Sequence, residues 1–367
     1  MASVTEKTKG RNRIYPKLIK GNLYRYRNLF SGFLLALLFL GPFLKINGEQ
    51  LILLNLVERK FVFFGVIFWP QDFHLFVLAM ITFIVFIVLF TSIFGRVWCG
   101  WACPQTIFME MVFRKIEYLI EGDALKQKKL DASPLSTEKI IKKGSKHSIF
   151  LFISFLIANI FLAYLIGTEA LLKIISEPIS EHISGFIAIS VFTLLFYGVF
   201  AYLREVVCTV ICPYGRLQGV LLDNKSLVVA YDYNRGEPRG KRKRGQENDQ
   251  GDCVDCDLCV QVCPTGIDIR KGTQMECINC TLCIDACDMV MEKIHRPTRL
   301  IGFKSEENIK SGKLFRFGKR IYGYAAVLLV LTSALTVLLI KRTDIETTVL
   351  RAGGTLYQLR EDGTVSN

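Results

Sequence analysis

The chain has 367 residues, a net charge of +13, 51% hydrophobic residues and a mean hydropathy of +0.34. So apolar a composition excludes a disordered chain and an ordinary soluble domain. Its lysines and arginines follow the loops between apolar runs, so the positive charge implies no nucleic-acid partner.

Residues 1–28 form a basic arm, with Tyr15, Tyr24 and Tyr26 where aromatic rings favour a membrane interface. Five runs approach the roughly 20 apolar residues that cross a bilayer. They cover 29–44, 75–95, 148–167, 183–203 and 322–340. The first follows basic residues as a signal peptide would, but no small-residue cleavage pattern follows, so it reads as a retained helix. Runs 51–57 and 61–70 are too short to span and read as a hairpin or interfacial segment around Glu58, Arg59 and Lys60. Counting the loops alternately, 38 lysines and arginines fall on the N-terminal side and 7 on the other. The positive-inside rule then puts the N-terminus, the central loop and the cysteine-rich region in the cytoplasm, and the C-terminus outside. The basic run at 240–245 reads as a solvated loop beside anionic headgroups.

The second apolar run ends in Cys99, Cys103 and Pro104; the fourth ends in Cys208, Cys212 and Pro213. Cysteines four apart share a helix face, about 5–6 Å apart at the β-carbons. Such a pair suits one soft metal ion and strains a disulfide. The following proline is expected to end or kink the helix. Helices one and two, and three and four, read as a repeat about an axis along the membrane normal, which would bring the four thiols to one place. Met109, Glu110 and Met111 offer thioether and carboxylate to such a site, though methionines there also simply pack. Between the pairs, 124–146 is a polar linker with a break at Pro134 and a helix expected over 137–143. His74, His147, His182 and His295 all lie outside the spans, which excludes a membrane haem held by two of them.

The cysteine-rich stretch reads CVDCDLCVQVCP, then CINCTLCIDAC. This doubled spacing is that of two-cluster bacterial ferredoxins, in which the fourth cysteine of each run ligates the other cluster. One 4Fe-4S cluster takes Cys253, Cys256, Cys259 and Cys287; the other takes Cys277, Cys280, Cys283 and Cys263. Four disulfides would suit a small secreted domain, and zinc would want two separated pairs. Asp288 stands where the motif has its second proline. The tail 343–367 alternates, with turn signals at 353–354 and 362–363, and reads as the first strands of a β domain.

Over nearly its whole length the sequence resembles the cytochrome c oxidase accessory protein family called CcoG, FixG or RdxA, an iron–sulfur membrane family. The carriers are VWCGWACPQTIFMEMVFRKIEYLIEGD, VCTVICPYGRLQGVLLD, GEPRGKRKRG and the double-cluster stretch. The resemblance implies an α-helical membrane protein of the bacterial inner membrane with five transmembrane helices, two repeated pairs plus one. It carries an inserted cytosolic double 4Fe-4S domain and the start of a periplasmic immunoglobulin-like domain, truncated here. The expected division is a basic arm 1–28, first pair 29–120, linker 121–147, second pair 148–224, 4Fe-4S domain 225–321, fifth helix 322–340 and periplasmic tail 341–367. The implied activity is reduction of Cu(II) to Cu(I) for assembly of a cbb3-type oxidase, with copper at Cys99, Cys103, Cys208 and Cys212. Expected partners are a cytosolic electron donor, a copper transporter or chaperone, oxidase subunits and membrane lipid; a homodimer is left open by the sequence. Two other classes remain: a quinol-linked electron-transfer subunit serving a periplasmic reductase, and an assembly scaffold.

Overall fold

A computed structural model describes residues 13–46, 48–55, 59–69, 72–240, 250–312 and 317–342, and two short strands in the tail. Five of its helices are long and apolar enough to cross a membrane. They belong to α1 (Asn22–Leu40), α2 (Phe73–Phe94), α7 (Thr137–Ile166), α9 (Ile183–Gly198) and α15 (Lys319–Ile340). Between α2 and α7 come four short helices: α3 (Val97–Trp101), α4 (Pro104–Thr106), α5 (Arg114–Ile120) and α6 (Ala124–Ala132). Helix α7 starts well before its apolar stretch, because the Ser136 hydroxyl accepts from the Lys139 amide and caps it. The expected linker helix at 137–143 is thus the first part of α7.

The cysteine-rich unit sits at one end of the bundle. Helices α1, α7 and α15 lead away from that end, and α2 and α9 return to it. At the far end, β1 (Lys45–Ile46) pairs with β2 (Glu49–Gln50), and β3 (Ile52–Asn55), β4 (Lys60–Phe63) and β5 (Val66–Phe68) form an antiparallel meander. That is the hairpin form of the two short apolar runs. Strand β3 lies against α7, and the short helix α8 (Thr168–Ser176) shows Leu172 and Ile175 outward and buries Leu171.

The pairing of helices differs from the expected one. Helix α7 packs along α9, but α2 packs along α15 rather than α1. Helix α1 instead meets α7, where the Tyr164 hydroxyl donates to the Leu38 carbonyl at 2.9 Å. The cause is an aromatic core: Phe108, Phe113, Phe150 and Phe200 collect Leu35, Leu38 and Phe39 of α1 around them. Phe113 stacks on Phe200 at 4.7 Å and meets Phe150 edge-on at 4.7 Å, geometries that add to simple burial.

After α10 (Pro213–Leu221), β6 (Val228–Tyr231) pairs antiparallel with β7 (Ile301–Lys304) and closes the cysteine-rich unit at its base. Within it lie α11 (Tyr233–Gly236), α12 (Leu258–Gln261) and α13 (Leu282–Lys293), with α14 (Glu306–Ser311) following β7. Val229, Ile269, Ile284, Met291 and Leu300 form its core. Asp285 of α13 joins this unit to α1. Its carboxylate accepts the Leu23 and Tyr24 amides at 3.1 and 2.7 Å, two donors that the start of α1 otherwise leaves open. In the tail, β8 (Gln358–Leu359) pairs antiparallel with β9 (Val365–Ser366). The basic run at 241–245 and the rest of the immunoglobulin-like reading lie outside the described residues.

Candidate metal centres

The two C-x-x-x-C-P segments share the backbone of their first and last residues. Gly95 enters the first at φ 58° and ψ −135°; Arg204 enters the second at φ 49° and ψ −122°. Glycine takes such angles freely, whereas a side chain there is strained. The Cys103 amide bonds to the Trp98 carbonyl at 2.9 Å, and the Cys212 amide to the Val207 carbonyl at 2.7 Å, both five residues back. Cys103 and Cys212 then turn extended, at φ, ψ of −62°, 125° and −70°, 114°.

This corrects the expected local structure in two respects. The paired cysteines do not share one continuous helix face, because a residue before proline is pushed out of the helical region. The prolines also start helices rather than end them: Pro104 opens α4 and Pro213 opens α10, where the missing amide costs nothing. Cys99 lies on α3, and Cys208 lies in a π-helical turn, Val207–Ile211.

The four thiols come near one another without closing a site. Burial, then the charges of Cys103, Cys99 and Cys212, push the Cys208 thiol up to about 12. Yet among the described residues no three of these sulfurs lie within 4.8 Å of one another. Cys99 is buried; the other three are partly open. The Gln218 amide of α10 donates to the Cys99 sulfur at 3.4 Å, and the Tyr214 hydroxyl meets Thr91 at 2.8 Å. Burial raises the Cys99 thiol, while Gln218 and Arg96 favour its charged form. Arg96, itself buried, reaches across to the Met275 carbonyl of the cysteine-rich unit.

Gly100 is the closest junction. A β-carbon there would strike the Ile278 carbonyl and lie 2.9 Å from the Asn279 backbone. The first segment is therefore pressed onto the loop Cys277–Cys280, and Cys99 shares an apolar cluster with Ile278 and Cys280.

The eight other cysteines line two adjoining cavities. Cys253, Cys256, Cys259 and Cys287 line one; Cys263, Cys277, Cys280 and Cys283 line the other, with Cys259 between them. The fourth cysteine of each run thus lies with the first three of the other. Both runs turn through left-handed residues at matching places, Asp255 and Asp257 in one, Asn279 and Thr281 in the other. Asp and Asn accept that conformation most readily among residues with side chains. Arg270 ties the first run by ion pairs to Asp255, Asp257 and Asp268 at 2.6–2.8 Å. Asp288 is engaged elsewhere, accepting the Arg299 amide at 2.7 Å.

The donor set tests what each cavity suits. Tetrahedral zinc, with Zn–S near 2.3 Å, needs sulfurs about 3.8 Å apart. No three of these sulfurs are within 4.8 Å of one another, so none is gathered for a single tetrahedral ion; what suits a cube is the grouping of each run's fourth cysteine with the first three of the other. Burial pushes Cys259, Cys277 and Cys287 up to about 12, so a cationic centre is needed to hold them as thiolates. Arg96, Gln218 and Asp285 carry no spacing signal in the sequence, because their partners lie more than 100 residues away along the chain.

The fold and these cavities define a ferredoxin-type iron–sulfur protein with five helices of membrane-crossing length. Residues 203–306 match the family described as a 4Fe-4S dicluster domain, and 76–123 match a 4Fe-4S binding domain. The protein RdxA of Cereibacter sphaeroides is 36% identical over 97% of this chain and 78% of its own length. RdxB of the same organism is 35% identical over the same shares. The nitrogen fixation protein FixG of Rhizobium meliloti is 39% identical over 80% of this chain and 57% of its own length. The chain belongs to this FixG/RdxA family of iron–sulfur electron-transfer proteins. No solved structure matches it.

Proposed function

We propose that this is an inner-membrane cupric reductase that supplies Cu(I) for assembly of a cbb3-type oxidase, with the cysteine-rich unit in the cytoplasm. Cys253, Cys256, Cys259 and Cys287 would hold one 4Fe-4S cluster, and Cys263, Cys277, Cys280 and Cys283 the other. Such clusters, when bound, supply single electrons drawn from a cytosolic donor. The substrate Cu(II) takes one electron and becomes Cu(I), with no bond to carbon or oxygen made or broken. Cys99, Cys103, Cys208 and Cys212 would hold the ion. Soft thiolates favour Cu(I) over Cu(II), which prefers a tetragonal nitrogen and oxygen set. The sulfurs would draw together around the ion, since they are not gathered beforehand.

One observation carries the reading: Gly100, between two of these cysteines, is seated on the Cys277–Cys280 loop. Electron supply and thiol site thereby become neighbours. A second reading has its own support. The 4Fe-4S binding match at 76–123 contains only Cys99 and Cys103 as cysteines, so all four helix-end thiols would be needed to hold a further iron–sulfur group there. The test is Cys99→Ser with Cys208→Ser in anaerobically purified protein, assayed for iron and for Cu(I) captured by a chelator. Lost copper reduction with full iron supports the first reading. Iron lost from the double variant favours the second, and full copper reduction with full iron defeats both.

A further inference from the structure

Three π-helical turns cluster beside Cys208: Ile107–Phe113, Val199–Leu203 and Val207–Ile211. Such turns are rare and concentrate at functional sites. Met109 and Glu110 of the first turn and Cys208 of the third line one cavity of about 20 Å³, together with Gln105, Thr106, Arg204 and Glu205. That holds one water or one bare ion and nothing larger. Thr106 is 4% exposed, and its hydroxyl has no hydrogen-bond partner; the Gln105 amide nitrogen is likewise open. A buried polar group without a partner costs about 1–3 kcal/mol, so this wall is built for an occupant.

We propose that this chamber is a second soft-metal site, where Met109 and Cys208 bind Cu(I) as it leaves the four-cysteine set; the inference rests on the copper reading above. The sulfur of Cys208 belongs to both places, so the ion exchanges its other thiolates for the Met109 thioether without leaving Cys208. No electron moves in this step. The donor pair, one thiolate and one thioether, favours a soft ion such as Cu(I). The glutamates beside it are engaged by arginine, Glu110 with Arg114 at 3.3 Å and Glu205 with the same Arg114, while Arg204 is paired with Glu117. Met109 also belongs to the aromatic core of α1, α7 and α9, so the chamber opens the thiol site toward the bundle.

The test uses selenomethionine-labelled full-length protein with its clusters intact, given one equivalent of Cu(I) directly. X-ray absorption at the copper edge should show copper–selenium scattering. Met109→Leu should abolish it, and Met111→Leu, a buried neighbour outside the chamber, should keep it. Copper–sulfur scattering alone in the wild type, with Cu(II) reduction intact, overturns this inference and leaves the copper reading standing. Copper–selenium scattering in a protein that does not reduce Cu(II) keeps the site and overturns the reductase. Copper that is not retained at all overturns both.

Discussion

Gly95–Pro104 and Arg204–Pro213 begin and end on the same backbone angles, and their surroundings then part. The first is sealed: Cys99 is 7% exposed and Gly100 touches the loop of the second cysteine cavity. The second is open: Val210 and Ile211 are more than half exposed, and Cys208 faces a chamber. Gly100 of the first segment becomes Thr209 in the second, whose hydroxyl bonds back to the Glu205 and Val206 carbonyls at 3.2 and 3.5 Å. Both copies meet the cysteine-rich unit, the first through Gly100 on the Cys277–Cys280 loop and the second through a chamber that Pro264, Thr265 and Ile278 also line. On the proposed function, the first copy would deliver the electron and the second would pass on the ion.

The sharpest way to break this comparison is to fill the two matching positions. Gly100→Val should separate the first segment from the Cys277–Cys280 loop and cost roughly half of the bound iron. Thr209→Val should change stability by less than about 0.5 kcal/mol. Iron analysis of both variants decides it, and equal iron contents would mean the copies are not specialised.

A smaller effect is expected at the strained entry. Arg204 holds its conformation because Glu117 binds it, with Arg13 also on that carboxylate at 2.9 Å. Glu117→Gln leaves buried arginine uncompensated and should cost about 3 kcal/mol, read as a lower thermal midpoint in detergent. Glu117 also sets an acid limit. Burial opposes its charge, but Arg204, Arg13 and Lys146 together hold the carboxyl below its ordinary value. Such a group stabilises the fold above its unfolded pKa of about 4.3 and loses that contribution as pH falls through the lower folded value. The wild-type midpoint should therefore drop in that acid window, and the Gln variant should be flatter there.

Next comes Gln218→Leu, which removes the donor to Cys99 in the sealed copy only. It should cost about 1 kcal/mol of stability. It should also slow copper reduction more than Thr209→Val does, as judged by initial rates with a chelator. The smallest effect is expected from Asp285→Asn, which weakens the two bonds at the start of α1 by about 1 kcal/mol and leaves iron content unchanged. Iron loss there would show that α1 helps to hold the cavity.

Much of this is legible in the sequence for physical reasons. Iron–sulfur spacing is local, so the exchange of Cys263 and Cys287 between cavities can be read directly. Length and hydropathy locate five spans. The partner of α2 cannot be read, because lipid-facing helices carry little pattern to say which neighbour they touch: 6% of the apolar window of α2 is buried, and none of that of α15. Proline reads as a stop where it acts as a start, since the same residue fits either side of a helix boundary. Met109 is visible only as a thioether near two cysteines. The chamber that it lines is assembled from residues far apart in the chain, among them Thr106, Cys208, Thr265 and Ile278.

The most direct test follows one electron. Anaerobic protein with reduced clusters, mixed with one equivalent of Cu(II), should lose the Cu(II) paramagnetic signal together with one equivalent of reduced-cluster signal. In Cys99→Ser the clusters should stay reduced while the Cu(II) signal persists. Cu(II) lost at the wild-type rate in Cys99→Ser would contradict the proposed route, because the metal would then take its electron without the sealed copy.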